Sequence, residues 1–239
     1  MNFLTKNENK VSKKFFQDGY IVAKIISKKE LHIIEKLVIK YLKNNDKKID
    51  KFSDQYILNN THKFINKSHL NNVRLGIINY LNNKKEFLKS YYLLSKPILD
   101  VLVGNELSMQ KRINLSIQFP KDNSSLLALH SDVWSGDSPF EVVAWLPLVN
   151  CYGTKSMYIL PPKKYKKFEK IFKNKKNNDS ETIYKKIKKD LRWIKVNFGE
   201  VLIFNQCLPH GNIVNKENQS RWSLNCRFKS IFSPYRDKK

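Results

Sequence analysis

Between Ile113 and Phe228 the chain repeatedly alternates apolar and polar residues with a period of two, and this alternation restricts what it can fold into. Ile113, Leu115, Ile117 and Phe119 alternate with Asn114, Ser116 and Gln118. Trp222, Leu224, Cys226 and Phe228 alternate with Arg221, Ser223, Asn225 and Arg227. No helix gathers such a set on one face, whereas a pleated strand does. Glu141 to Val149, Lys155 to Leu160 and Val201 to Asn205 are further β-rich runs, separated by turn signals such as Phe198-Gly199-Glu200. Several short strands of this kind predict a β-sandwich or barrel from about residue 106. Their polar faces either meet solvent or line a wet, functional interior; the pattern alone admits both.

The first hundred residues read differently. Ser27 and Glu30 form an S-x-x-E helix start, and Leu31, Ile34, Val38 and Leu42 follow at helical spacing. Gly19 to Val22 reads as a short strand, and a helix is predicted from Lys85 to Ser95, ending near Pro97. A length of 239 residues suits one domain over 1–239. Residues 1–105 form a mainly helical part and residues 106–235 the β core, interrupted at 163–190 by a lysine-rich surface insertion. That insertion carries 12 Lys against four acidic residues, with a short helix expected around Phe168, Ile171 and Phe172.

The formal net charge of +24 invites a nucleic-acid reading, but 39 of the 45 basic residues are Lys. Phosphate-reading surfaces use the planar arginine fork and interleaved aromatics, so a lysine-rich solvated surface is the simpler account. Three cysteines without a CxxC pair argue against a disulfide framework and a cysteine-based zinc site. No apolar stretch reaches 18 residues, and Met1 to Lys14 lacks the apolar core of a signal peptide. A soluble, cytoplasmic protein with no membrane span is expected.

The chemistry concentrates in a few residues. His130-Ser131-Asp132 is H-x-D, which at strand spacing puts an imidazole and a carboxylate on one face. His210, after the strand ending at Asn205, is the best third ligand. Two histidines and one carboxylate make the facial triad of non-haem Fe(II) oxygenases. Alone, H-x-D equally describes a hydrogen-bonded histidine beside an aspartate in a turn. Arg221 follows His210 by eleven residues, and Ser223 shares its face. An interior arginine needs an anion, and its fork suits a carboxylate, although Arg221 alone would equally describe a surface ion pair. The ordered set H-x-D, strand, His, R-x-S is much harder to obtain by accident.

In this order the residues resemble the 2-oxoglutarate- and Fe(II)-dependent oxygenases of the phytanoyl-CoA dioxygenase type. Phe16 to Val22 is similar to the family's N-terminal DGY strand, Leu129 to Asp132 to its proximal iron motif, and Ser156 to Pro161 to the strand before its usual turn. Gly199 to Phe204 with His210-Gly211 resembles the distal histidine segment, and Arg221-x-Ser223 the co-substrate strand. Pro161-Pro162-Lys163-Lys164 departs from the family's turn. The resemblance implies a mainly β protein with flanking helices, built on a double-stranded β-helix (jelly-roll or cupin-like). It implies Fe(II) on His130, Asp132 and His210, and 2-oxoglutarate on Arg221 and Ser223, with O2 as the third reactant. Release of succinate and CO2 would accompany the reaction; hydroxylation is favoured over halogenation, because related halogenases lack the carboxylate that Asp132 supplies, and desaturation and epimerisation stay open.

Asn114 and Gln118 are further candidates for co-substrate contact, and Trp134, Tyr158 and Arg227 for substrate contact. The expected substrate is a small molecule, with a sugar, nucleotide-sugar or phosphorylated sugar in polysaccharide biosynthesis suggested by similarity to the oxygenases of sporadic carbohydrate clusters. Two other readings remain: a metal- or sugar-binding barrel without turnover, and a nucleic-acid-modifying oxygenase.

Overall fold

The computed structural model describes residues 3–174 and 179–234. Helix α1 (Lys6–Asp18) opens on a closed capping box, in which Thr5 and Glu8 exchange side-chain and backbone hydrogen bonds. It stops at Gly19, whose φ of +81° is left-handed; an added Cβ would also lie 2.2 Å from Leu208 Cδ1. The chain then enters β1 (Tyr20–Lys24), the strand expected there. Helix α2 (Lys28–Asn45) begins where S-x-x-E predicts, with the Ser27 hydroxyl accepting from the Glu30 N–H. Glu30 leaves the box open, because its carboxylate accepts from the distant Ser90 hydroxyl. Leu31, Ile34, Val38 and Leu42 form the buried stripe of α2.

Helices α3 (Asp54–Asn59), α4 (Leu70–Asn82) and α5 (Lys85–Leu102) complete the helical part. The predicted end of α5 near Pro97 is wrong: the helix runs through the proline to Leu102. Pro97 forfeits the bond to the Leu93 carbonyl, at about 3 kcal/mol. Leu94 and Leu99 are buried on either side of it. Burying two leucines contributes about 3–6 kcal/mol, enough to carry the helix across the break.

The strands that follow are β2 (Leu107–Met109), β3 (Asn114–Gln118), β4 (Glu141–Pro147), β5 (Met157–Ile159), β6 (Arg192–Ile194), β7 (Glu200–Asn205), β8 (His210–Gly211) and β9 (Arg221–Ser230). They form two antiparallel sheets. The larger runs β1-β7-β4-β9-β2, with β3 also on β9; the smaller runs β6-β5-β8. Strand β9 is the longest element of either, pairing with β4 on one side and with β3 and then β2 on the other.

The register settles which way the alternating faces point. Asn114 lies opposite Asn225, Ser116 opposite Ser223 and Gln118 opposite Arg221, so the polar alternates of β3 and β9 share one face. Behind them Trp222, Leu224, Cys226 and Phe228 are fully buried. They pack towards the helical part: the Trp222 indole N–H donates to the Thr61 hydroxyl, and the Phe228 ring lies 6.4 Å from that of Tyr92. Both faces of β9 are therefore inside the molecule, and the polar one lines an interior cavity.

Among the described residues the helices hold more of the chain than the strands, so "mainly β" suits residues 106–235 and not the whole. The stretch 163–190, expected as a surface insertion with one short helix, folds as α6 (Pro162–Lys173) and α7 (Ser180–Ile187); residues 175–178 lie outside the described residues. Phe168, Phe172, Ile183 and Ile187, each pair spaced i,i+4, join Leu129, Tyr158 and Leu160 in a second apolar cluster. Lysines occupy the far side, with Lys164 and Lys167 sharing Asp190 at 2.8 and 3.0 Å. Among the described residues no helix is long and apolar enough to cross a membrane.

Candidate metal centre and anion site

A cavity of about 650 Å³ lies between the two sheets, walled by β3, β4 and β9 on one side and by β5 and β8 on the other. His130 and His210 meet there as an isolated antiparallel bridge, exchanging backbone hydrogen bonds at 2.9 and 2.8 Å. Their rings lie 4.3 Å apart. The H-x-D is not part of a strand, since Asp132 opens a 3-10 turn, Asp132–Ser135. Ser131 is nevertheless extended (φ −130°, ψ 135°), so the Asp132 side chain returns to the side of His130. The Ser131 hydroxyl fixes this turn by donating to the Gln206 and Cys207 carbonyls.

Each histidine engages through Nδ1 the carbonyl two residues before it, His130 that of Ala128 at 2.7 Å and His210 that of Leu208 at 2.8 Å. That bond assigns the proton to Nδ1 and leaves Nε2 a free lone pair, as metal-binding histidines require. Asp132 Oδ1 is 3.5 Å from His130 Nε2 and 3.8 Å from His210 Nε2. Within the described residues this is the one cluster of three His, Cys, Asp or Glu side chains close enough to share an ion. Burial raises the Asp132 pKa, but the close approach of His130 and the positions of His210 and Arg227 around it outweigh burial and bring the carboxyl down to about 2. Burial, with His130 alongside, pushes His210 down to about 4. At neutral pH the site thus offers an ionised carboxylate and a neutral imidazole at His210, the forms that bind metal.

Arg227, expected at the substrate, lines the cavity and makes its shortest contact with Asp132. Its Nη2 donates to Asp132 Oδ2 at 2.8 Å and its Nε to Gln206 Oε1 at 2.9 Å, while Gln206 also accepts the Asp132 N–H on its backbone carbonyl. One carboxylate oxygen is thereby held back and the other turned to the histidines. Arg227→Met frees Oδ2 and removes a charge from the ligand's back. The expected result is metal affinity lower by about 10–100-fold, the usual effect of losing such an outer partner; calorimetric Ni(II) titration checks it.

Farther along the same face, Arg221 is 2% exposed yet lacks an acidic partner. Among the described residues it makes one hydrogen bond, from Nη2 to the Ser116 hydroxyl at 2.9 Å, and its Nε has no partner. Burial pushes its pKa down to about 10, opposed by nearby Cys151 and by no carboxylate. The neighbouring Ser223 hydroxyl is also buried without a partner. Both residues line the cavity. A buried guanidinium costs free energy unless an anion meets it, which makes this end of the cavity a candidate anion site. Its strand is anchored from outside: the Ser220 N–H donates to the Asn59 carbonyl, and the Ser220 hydroxyl accepts the His62 N–H.

The other candidates divide. Asn114 lines the cavity, its amide donating to Asn225 at 3.4 Å. Gln118 shares the face of Asn114 but is not among the cavity-lining residues, its amide donating to the Ile213 carbonyl. Tyr158 faces the opposite side of the small sheet, against Tyr184 and Trp193, and Trp134 packs on Phe172; neither lines the cavity, because α6 and α7 supply the apolar surface that claims both rings. Sequence reasoning missed Ser116 and Gln206. Ser116 was detectable, lying between Asn114 and Gln118 on the same alternation; Gln206 stands in a turn, where no periodicity marks it.

No protein-family model matches the sequence, and no curated protein matches it. Solved structures do. The chain superposes on a nogalamycin-biosynthesis protein described as the non-haem α-ketoglutarate-dependent carbocyclase SnoK, with TM-score 0.59 at 12% identity, covering 95% of this chain and 84% of that one. It superposes on HygX from Streptomyces hygroscopicus, solved with nickel and 2-oxoglutarate bound, with TM-score 0.57 at 14% identity, covering 96% and 88%. The non-haem monooxygenase ThoJ, in complex with nickel, matches with TM-score 0.50 at 15% identity over 92% and 77%. The chain shares the fold of non-haem oxygenases.

Proposed function

We propose that this protein is an Fe(II)- and 2-oxoglutarate-dependent dioxygenase of the phytanoyl-CoA dioxygenase type, with a double-stranded β-helix core, that hydroxylates a small molecule. The observation that carries the reading is Arg221, a buried arginine with no carboxylate, beside the unpartnered Ser223 hydroxyl and in the same cavity as His130, Asp132 and His210. A triad alone would hold a metal; a triad sharing a cavity with a buried arginine that lacks a carboxylate partner asks for a chelating dicarboxylate. HygX was solved with 2-oxoglutarate and SnoK is described as dependent on it, which supports the assignment.

In this reading His130, Asp132 and His210 would hold Fe(II), and Arg221 with Ser223 would take the far carboxylate of 2-oxoglutarate. When bound, these two supply oxidising power from O2, with 2-oxoglutarate leaving as succinate and CO2. The chain's own work is positional. Arg227 holds Asp132 Oδ2 away from the histidines. The carbonyls of Ala128 and Leu208 hold the imidazoles in one tautomer. Val143, Trp145 and Phe204 wall the metal end with apolar surface and limit water. The substrate is read as a sugar or sugar derivative, because Asn71, Asn114, Ser125 and Asn225 give the rest of the cavity a neutral hydrogen-bonding wall. Three free cysteines suit the reducing cytoplasm.

Anaerobic titration of the Fe(II)-loaded protein with 2-oxoglutarate is the test. A saturable visible charge-transfer band is expected. Iron binding without any band would replace this reading with that of a metal-binding barrel.

A further inference from the structure

Resting on that reading, the cavity's charges point to the substrate class. Four cations line it: Lys67, Arg74, Arg221 and Arg227; among the lining residues Asp132 is the one carboxylate. Three of the four are accounted for. Lys67 pairs with Asp122 at 2.8 Å, Arg227 with Asp132 at 2.8 Å, and Arg221 takes the co-substrate. Arg74 is left over. Its Nη2 donates to the Asn71 side-chain carbonyl at 2.7 Å and its Nη1 reaches the Leu115 carbonyl at 3.4 Å, both neutral acceptors. Among the described residues no carboxylate pairs with it.

These two contacts do more than satisfy donors. Asn71 stands one turn earlier on α4, and Leu115 lies in β3 between Asn114 and Ser116, so the guanidinium is braced between helix and sheet at the cavity's β3 wall. An arginine carries five N–H donors, and the braces occupy two. A half-buried guanidinium with spare donors, facing a cavity whose one carboxylate is already neutralised, suits an oxyanion. Asn71, Asn114, Ser125 and Asn225, which line the same cavity, can exchange hydrogen bonds with hydroxyls and carry no charge. The volume, about 650 Å³, lies in the range of roughly 300–1,000 Å³ typical of small-molecule sites and leaves room beside a five-carbon dicarboxylate.

We propose that Arg74 is a specificity-determining residue that binds an anionic group, phosphate or carboxylate, on a hydroxyl-bearing small-molecule substrate. The substrate is an acid and not a neutral sugar, and it enters with its anion against α4 and β3.

The test is calorimetric titration of Ni(II)-loaded protein, saturated with 2-oxoglutarate so that Arg221 is occupied, with four probes: glucose 6-phosphate, glucuronate, inorganic phosphate and methyl glucoside. Wild type is compared with Arg74→Gln, Arg74→Lys and Lys89→Gln, the last removing an exposed lysine away from the cavity to control for the overall charge of +24. The expected result is saturable binding of at least one anionic probe, weakened tenfold or more in Arg74→Gln, partly restored in Arg74→Lys and unchanged in Lys89→Gln. Methyl glucoside should bind all four proteins alike. Preference for glucose 6-phosphate or for glucuronate decides which oxyanion is meant. Equal affinity of Arg74→Gln and wild type for the anions, or no saturable anion binding to wild type, overturns the proposal. The Fe(II)–2-oxoglutarate band separates this from the reading it rests on. Wild type without a band loses the co-substrate, whereas a full band in Arg74→Gln with unchanged anion affinity removes only the role of Arg74.

Discussion

Arg221→Met is expected to weaken 2-oxoglutarate binding about 100-fold and, in protein without co-substrate, to raise the melting temperature. The two effects share one cause. Arg221 is 2% exposed, keeps one hydrogen bond to Ser116 and leaves Nε unpartnered, so the empty protein bears an uncompensated desolvation cost. Methionine fills much of the same volume without it, and exchanging buried charge for a hydrophobe of similar size often stabilises by about 1–4 kcal/mol. At the low end that is roughly 2–4 °C for a chain of this size. With co-substrate present the sign reverses. A carboxylate facing methionine loses a charge-assisted fork, and about 100-fold, or ~2.7 kcal/mol, lies within the range for truncating one partner of a buried charged pair. Thermal melts with and without 2-oxoglutarate, beside the charge-transfer titration, measure both. Unchanged affinity would remove Arg221 from the co-substrate site; a lowered melting temperature in the empty protein would show that the arginine serves the fold.

Asp132→Ala should reduce divalent metal affinity by about a thousandfold, more than deletion of a ligand atom alone explains. The change removes the anionic ligand and leaves two imidazoles. It also strips Arg227 of its shortest ionic contact, 2.8 Å to Asp132 Oδ2, leaving Asp137 at 3.5 Å and Glu141 at 4.0 Å as the remaining acids. A guanidinium that had polarised the carboxylate then faces the ion directly and repels it. Breaking a buried pair from one side costs about 3–5 kcal/mol, of which the metal would report the larger share. Adding Arg227→Met to Asp132→Ala should therefore recover part of the affinity, although Arg227→Met alone lowers it. That change of sign is a coupling between neighbours that a double-mutant cycle detects. Strictly additive losses would mean that Arg227 acts on the metal independently of the carboxylate, and unchanged affinity in Asp132→Ala would move the metal elsewhere.

Much of this site was legible beforehand for a local reason. Strand periodicity decides which side chains share a face, so Asn114 and Ser116 could be grouped, as could Arg221, Ser223 and Arg227, without knowing what the strands packed against. His130, Asp132 and His210 were legible because their residue types are scarce and chemically specific. Even so, the turn at Asp132 preserved the H-x-D geometry only because Ser131 is extended, a detail the spacing assumed.

Other features depended on what lies opposite in space. Arg221 and Arg227 stand on one face of one strand, six residues apart, and look alike in the sequence; the first has no carboxylate beside it and the second meets Asp132 at 2.8 Å. Tyr158 and Trp134 were drawn from the cavity by Phe172 and Tyr184, in helices that read as a charged insertion until their i,i+4 apolar pairs were seen to be buried. Pro97 failed to end its helix for the same kind of reason, since packing on both sides outweighed a local backbone cost. Periodicity and residue chemistry belong to neighbours along the chain and are written there directly. The identity of the facing group is a matter of sheet order and layer packing, and it decided which polar side chains meet one another and which keep unpartnered atoms.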